Sequence, residues 1–465
     1  MPTPITTAAP VTRLVRSLPG RLARVLLAAG LVAALAGGLT FGAAVLSGRS
    51  GPPPASDPVP AAAFEQLSSA SLTAGIGQLQ QHLRAQPRDA TGWATLGLSY
   101  VEQARLTADP AYYPKAAAAL AEALRVKPAD NDSAHAGLAA LAAARHDFGA
   151  ALREADRALA INPLGARALA VRIDALVELG RYPAATAAAR HADGIAPGIP
   201  VFTRLAYVNE LVGRTAEARR VLKLALTSAD DPGDLAYVHA QLGELAWSQG
   251  QMSRAGGEFA AALRADPGYL AAVEGRARVR AATGDVAGAL GDLQTVVNRL
   301  PLPGYLTEYG ELLTSAGRPG EAAAQYAVAR TWVKLAKASG VATDLETALF
   351  AADHGDKAEA LRAARAERAR RHSVHVDDAL AWALHVNGRN AEALRYAQQA
   401  NALGYRNALF RYHQGMIEKA LGRTADARRD LTAALRLNPH FSVLHAPLAR
   451  AALISLGGAS LGGTR

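Results

Sequence analysis

The chain has 465 residues, a formal net charge of +10 and no cysteine. The lack of cysteine excludes disulfides, zinc–thiolate and iron–sulfur sites and a cysteine nucleophile. The positive charge is moderate for this length and lies partly at the N-terminus, so it indicates an arginine-rich surface rather than binding to nucleic acid.

Residues 25–46 are predicted to cross a membrane as a single helix. These 22 residues carry no charge, and as a helix they would span about 33 Å, the thickness of a hydrocarbon core. The arginines that precede them are Arg13, Arg16, Arg21 and Arg24. The positive-inside rule therefore places a basic tail, residues 1–24, in the cytoplasm and the rest of the chain outside it.

A cleaved signal peptide is the alternative for this segment, because the small residues 34–36 form a possible cleavage site. Apolar sequence continues for more than a helical turn beyond that site, which favours an uncleaved anchor in the cytoplasmic membrane over secretion after cleavage. Residues 47–62 follow, and their three consecutive prolines predict an extended linker.

Prolines and glycines then recur with a common period. Prolines that follow a helical run lie at Pro87, Pro128, Pro163, Pro197, Pro232, Pro267 and Pro301, and most are 34 or 35 residues apart. Glycines keep the same spacing at Gly180, Gly213, Gly250, Gly284, Gly317, Gly355, Gly388 and Gly422. A period near 34 residues, sustained over this length, is typical of stacked helical repeats.

Each repeat is predicted to contain two helices. The first helix ends at the glycine, which can adopt a left-handed conformation, and the second ends near the proline, which cannot continue a helix. In the unit before Pro267, Gly243 lies on the first helix, while Ala255 and Phe259 lie at helical spacing on the second. The small residues therefore mark where the two helices approach closely, and Phe259 is expected to fill the space between them.

This pattern resembles the tetratricopeptide repeat family. The motif residues are Trp93, Leu96, Gly97 and Tyr100 in the first full unit, the run at residues 309–329, and Gly415, Gly422, Ala427, Ala434 and Pro439 in the last unit. The resemblance implies an all-α fold, a right-handed superhelical solenoid of about ten two-helix repeats at residues 63–441. The N-terminal transmembrane helix precedes it, and a capping helix at residues 442–456 and a disordered tail at residues 457–465 follow.

Three positions depart from the family's pattern. Arg172 and Arg276 occupy places where an apolar residue is usual, and the unit around Gly355 lacks its closing proline. The fold prediction does not depend on these positions, but they leave the phase of the Gly355 unit open.

No catalytic motif is recognisable, so the sequence predicts neither an enzyme nor a bound cofactor. One local cluster, His372, His375, Asp377 and Asp378, could hold a metal ion, although its spacing matches no helical ligand motif. We interpret it instead as a polar junction between helices, and no metal is expected. The arginines at residues 362–371 alternate with glutamates and are interpreted as a solvated helix face.

Repeats of this family mostly act as scaffolds or chaperone-like adaptors, so the resemblance implies a protein-binding role outside the cytoplasmic membrane. By the same resemblance, one face of each first helix lines a concave groove. The groove residues predicted on that face are Asp174, Tyr207, Glu210, Tyr237, Glu244, Trp247, Glu274, Glu311, Asp378, Trp382, Tyr412 and Met416. This acidic, aromatic face predicts a protein or peptide partner with basic residues, held by Trp247 and Trp382, and no nucleic acid.

Overall fold

The structure is a computed structural model that describes residues 69–457, and α-helices are the only regular elements in that range. The predicted basic tail (1–24), membrane helix (25–46) and linker (47–62) lie outside the described residues, as does the predicted tail after residue 457. Within the described range, none of the helices combines the length and the apolar character needed to cross a membrane.

The 22 described helices form ten consecutive pairs with a single helix at either end. α1 (Ser69–Ala85) precedes the pairs and α22 (His445–Ser455) follows them. The first five pairs are α2 (Ala90–Thr107) with α3 (Tyr112–Val126), α4 (Asp132–Ala144) with α5 (Phe148–Ile161), α6 (Ala166–Glu178) with α7 (Tyr182–Ile195), α8 (Ile199–Leu211) with α9 (Thr215–Thr227), and α10 (Pro232–Ser248) with α11 (Met252–Ala265). The last five are α12 (Leu270–Ala282) with α13 (Val286–Arg299), α14 (Pro303–Ser315) with α15 (Pro319–Ala338), α16 (Asp344–His354) with α17 (Lys357–Arg370), α18 (Val374–Val386) with α19 (Asn390–Ala402), and α20 (Ala408–Ala420) with α21 (Thr424–Leu437). The predicted all-α repeat solenoid is confirmed.

Small residues on one helix make room for a large residue on the next, as the sequence predicts. Phe259 on α11 is fully buried, and its ring lies between Gly243 on α10 and Gly275 on α12. A Cβ added to Gly243 would lie 2.6 Å from Cε1 of Phe259, closer than non-bonded carbon atoms can approach. The same arrangement recurs where Leu120 fills the space beside Gly97 and Gly137.

The helix-ending glycines adopt the left-handed conformation, with one exception. Gly180 has a φ of 74°, and Arg181 N–H donates to the carbonyl of Leu176 at 2.8 Å, which closes the helix end with a reverse-turn hydrogen bond. Gly355 instead has φ −143° and ψ −150°, so the expectation that it ends its helix in the same way is wrong. There the chain leaves α16 extended, and the Asp356 carboxylate caps α17 by accepting from Ala358 N–H at 2.8 Å.

The two arginines that depart from the repeat pattern are each paired with an aspartate. Arg276 donates to Asp292 in the same unit at 2.7 Å, and Arg172 donates to Asp156 in the preceding unit at 2.7 Å. Each guanidinium therefore replaces an apolar contact between helices with an ionic one.

The two helices of a unit have different surroundings, which defines the inside of the solenoid. Successive first helices, the even-numbered α2 to α22, pack against each other along most of the chain, whereas successive second helices, the odd-numbered α3 to α21, stay apart. Elements that crowd together lie on the shorter, concave side of a curved stack. We therefore call the even-numbered set the inner helices and the odd-numbered set the outer helices.

The solenoid coils tightly enough for its second turn to touch its first. Turns that follow the inner helices α4, α6, α8 and α10 contact loops that follow the outer helices α15, α17, α19 and α21, about 190 residues later. We call this line of contacts the seam. Because the repeat is about 34 residues long, one superhelical turn takes between five and six units.

Backbone groups make much of the seam. Ala342 N–H donates to the carbonyl of Arg145 at 3.0 Å, and the imidazole of His146 contacts the carbonyl of Ala342 at 2.9 Å. Further along, Val374 N–H donates to the hydroxyl of Tyr182 at 2.7 Å. Backbone groups in the seam are thus satisfied by the other turn, which makes this approach specific.

Glycine is required at three places in the seam. A Cβ on Gly180 would overlap the carbonyl oxygen of His372, and a Cβ on Gly213 would lie 2.6 Å from the carbonyl oxygen of Gly404. At the third place, a Cβ on Gly250 would overlap the carbonyl oxygen of Leu437. By contrast, the equivalent glycines outside the seam have no heavy atom within 4 Å of an added Cβ: Gly284, Gly317, Gly388 and Gly422.

Candidate functional site

All twelve predicted groove residues lie on inner helices, but half of them are buried. The buried six are Asp174, Tyr237, Glu274, Asp378, Trp382 and Tyr412. The half-buried six are Tyr207, Glu210, Glu244, Trp247, Glu311 and Met416. In this conformation only the second group has surface to offer a partner.

Two of the buried acids join successive inner helices. Asp174 on α6 accepts from Nη2 of Arg204 on α8 at 2.7 Å, and both residues are more than nine-tenths buried. Burial raises the pKa of Asp174 to about 6, and the guanidinium opposes that rise. Glu274 pairs with Arg278 on α12, which also donates to Glu244 at 2.8 Å and to Glu308 at 3.0 Å. Arg278 therefore serves three glutamates from three inner helices.

The half-buried Tyr207 and Glu210 lie on α8, close to the seam. The Tyr207 hydroxyl contacts Nε2 of His375 on α18 at 3.0 Å. Burial, with the charge of Arg371, lowers the pKa of His375 to about 4, so its neutral ring accepts this hydrogen bond. Burial also raises the pKa of Glu210 to about 7, although the Ser248 hydroxyl donates to it at 3.2 Å. These groups hold the two turns together in their neutral forms.

The four residues of the possible metal cluster have separate partners. His375 contacts Tyr207, Asp377 accepts from Arg368 at 2.6 Å, and Asp378 contacts Nδ1 of His413 at 2.9 Å. Among residues 69–457, no group of three or more potential ligand side chains is arranged to hold a metal ion. The hypothesis that this cluster binds a metal is therefore wrong, because each side chain points to a different helix.

Trp382 is packed into the inner wall and cannot anchor a partner in this conformation. Its indole ring stacks on His413 at 4.2 Å and on His385 at 4.9 Å, and its Nε1–H donates to Asp353 at 2.8 Å. The side chain is 6% exposed. The imidazole rings and the carboxylate were not predictable neighbours, since they come from three other positions in the repeat pattern.

A cavity of about 580 Å³ opens on the inner wall between α12 and α14. These two are the one successive pair of inner helices that make at most marginal contact in the described chain. The segment at residues 439–447 and the start of α22 close the cavity from the other side, and exposed residues such as Ser315 and His440 border its mouth. Its volume is in the range of small-molecule and side-chain binding pockets.

The cavity combines apolar surface with acidic groups. Two of the predicted residues, Trp247 and Glu311, border it, and sequence reasoning missed Glu308, Glu346, Asp353 and His413. Burial alone would raise the pKa of Asp353, but hydrogen bonds from His445 and Trp382 and the charge of His445 lower it overall, so this carboxyl group is ionised. The missed residues carry no motif, because the cavity forms only when α22 folds against α16.

Comparisons with known proteins find helical-repeat structures. No family model and no curated protein matches the chain. The APC/C hetero-tetramer Cut9–Hcn1 is 15% identical over 84% of this chain and 83% of its own, with a TM-score of 0.40. A thermophilic TPR protein of Thermus thermophilus is 24% identical over 37% of this chain and 91% of its own, with a TM-score of 0.33. A tetratricopeptide repeat protein from Parabacteroides merdae is 18% identical over 56% of this chain and 99% of its own, with a TM-score of 0.34. Such scores say nothing about a binding site or a function.

Proposed function

We propose that this protein is a non-enzymatic scaffold that binds a segment of another protein on its inner wall. The observation that supports the proposal most is the open cavity between α12 and α14, which interrupts an otherwise filled interior. It presents apolar surface from Trp247 and Phe350 beside carboxylates, a combination that suits a peptide side chain. The buried polar residues of the other inner helices are engaged in holding the units together.

The proposed partner segment carries basic residues. Glu244, Glu308 and Glu311 have partly exposed side chains on the inner helices, at 38%, 25% and 17%. Arg278 is shared between Glu244, Glu274 and Glu308 and therefore leaves negative charge uncompensated. A basic segment would supply the missing counter-charge, and its binding would weaken as salt is added.

We further propose that residues 25–46 anchor the scaffold to the cytoplasmic membrane with the repeats outside. The support is the uncharged span with four preceding arginines, Arg13, Arg16, Arg21 and Arg24. An anchor would concentrate the scaffold where envelope proteins assemble or are secreted.

Reporter fusions test this topology. Fusions placed after Pro60 and after Arg465 are both expected to report an external location, because the arginines hold the N-terminus inside. The full-length protein is expected to stay with the membrane after sodium carbonate extraction. An internal signal from either fusion contradicts the topology, whereas release by carbonate with external reporters supports the cleaved, secreted form.

Trp247→Ala should reduce capture of the partner more than Arg264→Ala. Trp247 borders the cavity, and a truncated aromatic anchor typically costs about 2 kcal/mol or more of binding free energy. Arg264 is exposed on the outer helix α11 and serves as the control. The measurement is quantitative crosslinking and mass spectrometry from membranes, following one partner across wild type and both variants. Equal recovery with the two variants, both folded by circular dichroism, would show that the partner does not use the inner wall.

A further inference from the structure

We infer that the cavity between α12 and α14 receives an arginine side chain and binds its guanidinium group. The inference rests on the proposed function, since the arginine would belong to the partner segment. Two independent observations support it: the charge of the cavity wall, and buried hydrogen-bond acceptors on that wall that have no partner.

The wall carries more negative than positive charge. Its carboxylates are Glu308, Glu311, Glu346 and Asp353, and its guanidinium groups are Arg278 and Arg450. Arg278 is already bound to Glu244 and Glu274 outside the cavity, and Arg450 donates to the carbonyl of Pro439 at the edge. His440 adds no fixed positive charge, because burial and Arg450 lower its pKa. A cation inside the cavity would therefore be electrostatically favoured.

Two buried acceptor atoms on the wall lack hydrogen-bond partners within the described residues. Oε2 of Glu346 has none, and Glu346 is 7% exposed. Nε2 of His413 has none either, and His413 is 1% exposed. An unsatisfied buried polar atom costs about 1–3 kcal/mol, so a ligand that donates to these atoms would recover that cost.

The missing ligand must be a donor. Asp378 accepts from Nδ1 of His413, and a carboxylate has no proton to give, so Nδ1 carries the hydrogen and Nε2 of the neutral ring is an acceptor. Asp378 does not border the cavity whereas His413 does, which turns the free side of the ring toward the cavity. Glu346 can present either oxygen by rotation about its last side-chain bond, which has a low barrier.

A guanidinium group fits these demands better than an ammonium group. It offers five N–H donors in one plane, so it can serve several acceptors on different helices at once. Its flat face can also stack on aromatic rings, and Trp247, Phe350 and Phe441 border the cavity. The apolar part of the wall suits the aliphatic stem of an arginine side chain.

The test uses two small probes that differ only in charge. N-acetyl-arginine amide and N-acetyl-citrulline amide have the same shape, but citrulline carries a neutral urea in place of the guanidinium. We expect ligand-observed NMR titration of the folded repeat protein to show the arginine probe binding about tenfold more tightly, the effect of one good charged hydrogen bond. Equal affinities for the two probes, or no binding of the arginine probe, would overturn the inference.

Variants locate the site. Glu346→Gln should weaken the arginine probe about tenfold by removing the charge at the unpaired acceptor. Glu359→Gln, an exposed acid on the outer helix α17, should leave its affinity unchanged. If Glu346→Gln fails to fold, Glu311→Gln on α14 replaces it with the same expectation. An unchanged affinity in the folded cavity variant contradicts the inference. That outcome leaves the scaffold function standing if capture of the partner still depends on Trp247.

Discussion

Gly250→Ala is expected to lower the free energy of unfolding by about 2–4 kcal/mol, whereas Gly422→Ala should lower it by only ~1 kcal/mol. Both glycines end inner helices with nearly equal φ angles, 68° and 71°, so the left-handed strain of an alanine is the same at both. The difference lies in the seam, because only at Gly250 would the added Cβ overlap the carbonyl oxygen of Leu437.

Denaturant unfolding followed by circular dichroism measures this difference, with Gly284→Ala as a second control outside the seam. Small-angle scattering should also show a larger radius of gyration for Gly250→Ala, because the clash pushes the two turns apart. Equal destabilisation by Gly250→Ala and Gly422→Ala would mean that the second turn does not rest on the first at this position.

Phe259→Ala is expected to cost about 4 kcal/mol, the typical loss for a fully buried phenylalanine. The site cannot collapse to fill the space, since the residues on either side of the ring are Gly243 and Gly275. Repeat proteins transmit such damage mainly to neighbouring units. Hydrogen exchange should therefore rise first in α10, α11 and α12 and least in the distant α2 and α3.

Leu224→Ala provides the control, because Leu224 lies on the outer helix α9 and is 40% exposed. A surface truncation of this kind changes stability by about 0.5 kcal/mol or less. A loss near 1 kcal/mol for Phe259→Ala, or exchange that rises evenly along the chain, would contradict the packing described for this unit.

Local repeat structure was predictable because its causes recur every 34 residues or so. Gly243 and Phe259 could be assigned to facing helices from spacing alone, since a glycine on one helix and an aromatic residue on the next is a local, periodic solution to packing. The same logic placed the twelve groove residues on inner helices. The exception, Gly355, falls in the unit whose closing proline is missing.

The seam was not predictable, because it joins residues about 190 positions apart that carry no shared signature. Gly180 and Gly317 occupy the same place in the repeat and are each followed by arginine, yet only Gly180 faces another backbone. Their roles differ because the chain coils back over the early units and ends before it could cover the later ones.

The candidate site was predictable only in part for the same reason. Trp247 and Trp382 share a face in the repeat pattern, but His385 and His413 cover Trp382 while Trp247 stays half-buried at the cavity. Which inner residues remain open depends on how α20 and α22 fold against earlier helices. Those contacts are set by tertiary packing, which a repeat pattern does not encode.

The docking of one superhelical turn on the next is tested most directly by a crosslink across the seam. The natural chain has no cysteine, so Arg181→Cys with His372→Cys introduces the only two thiols. Both positions are exposed, and Gly180 touches the backbone of His372. The matched control pairs His372→Cys with Thr283→Cys, an exposed position in an equivalent turn outside the seam. We predict that a short bismaleimide rapidly links residues 181 and 372 within one native chain, seen as a shifted band on a denaturing gel, and that denaturant or the control pair abolishes the link. Failure of the native chain to crosslink, or equal crosslinking of the control pair, would contradict the account of a solenoid closed on itself.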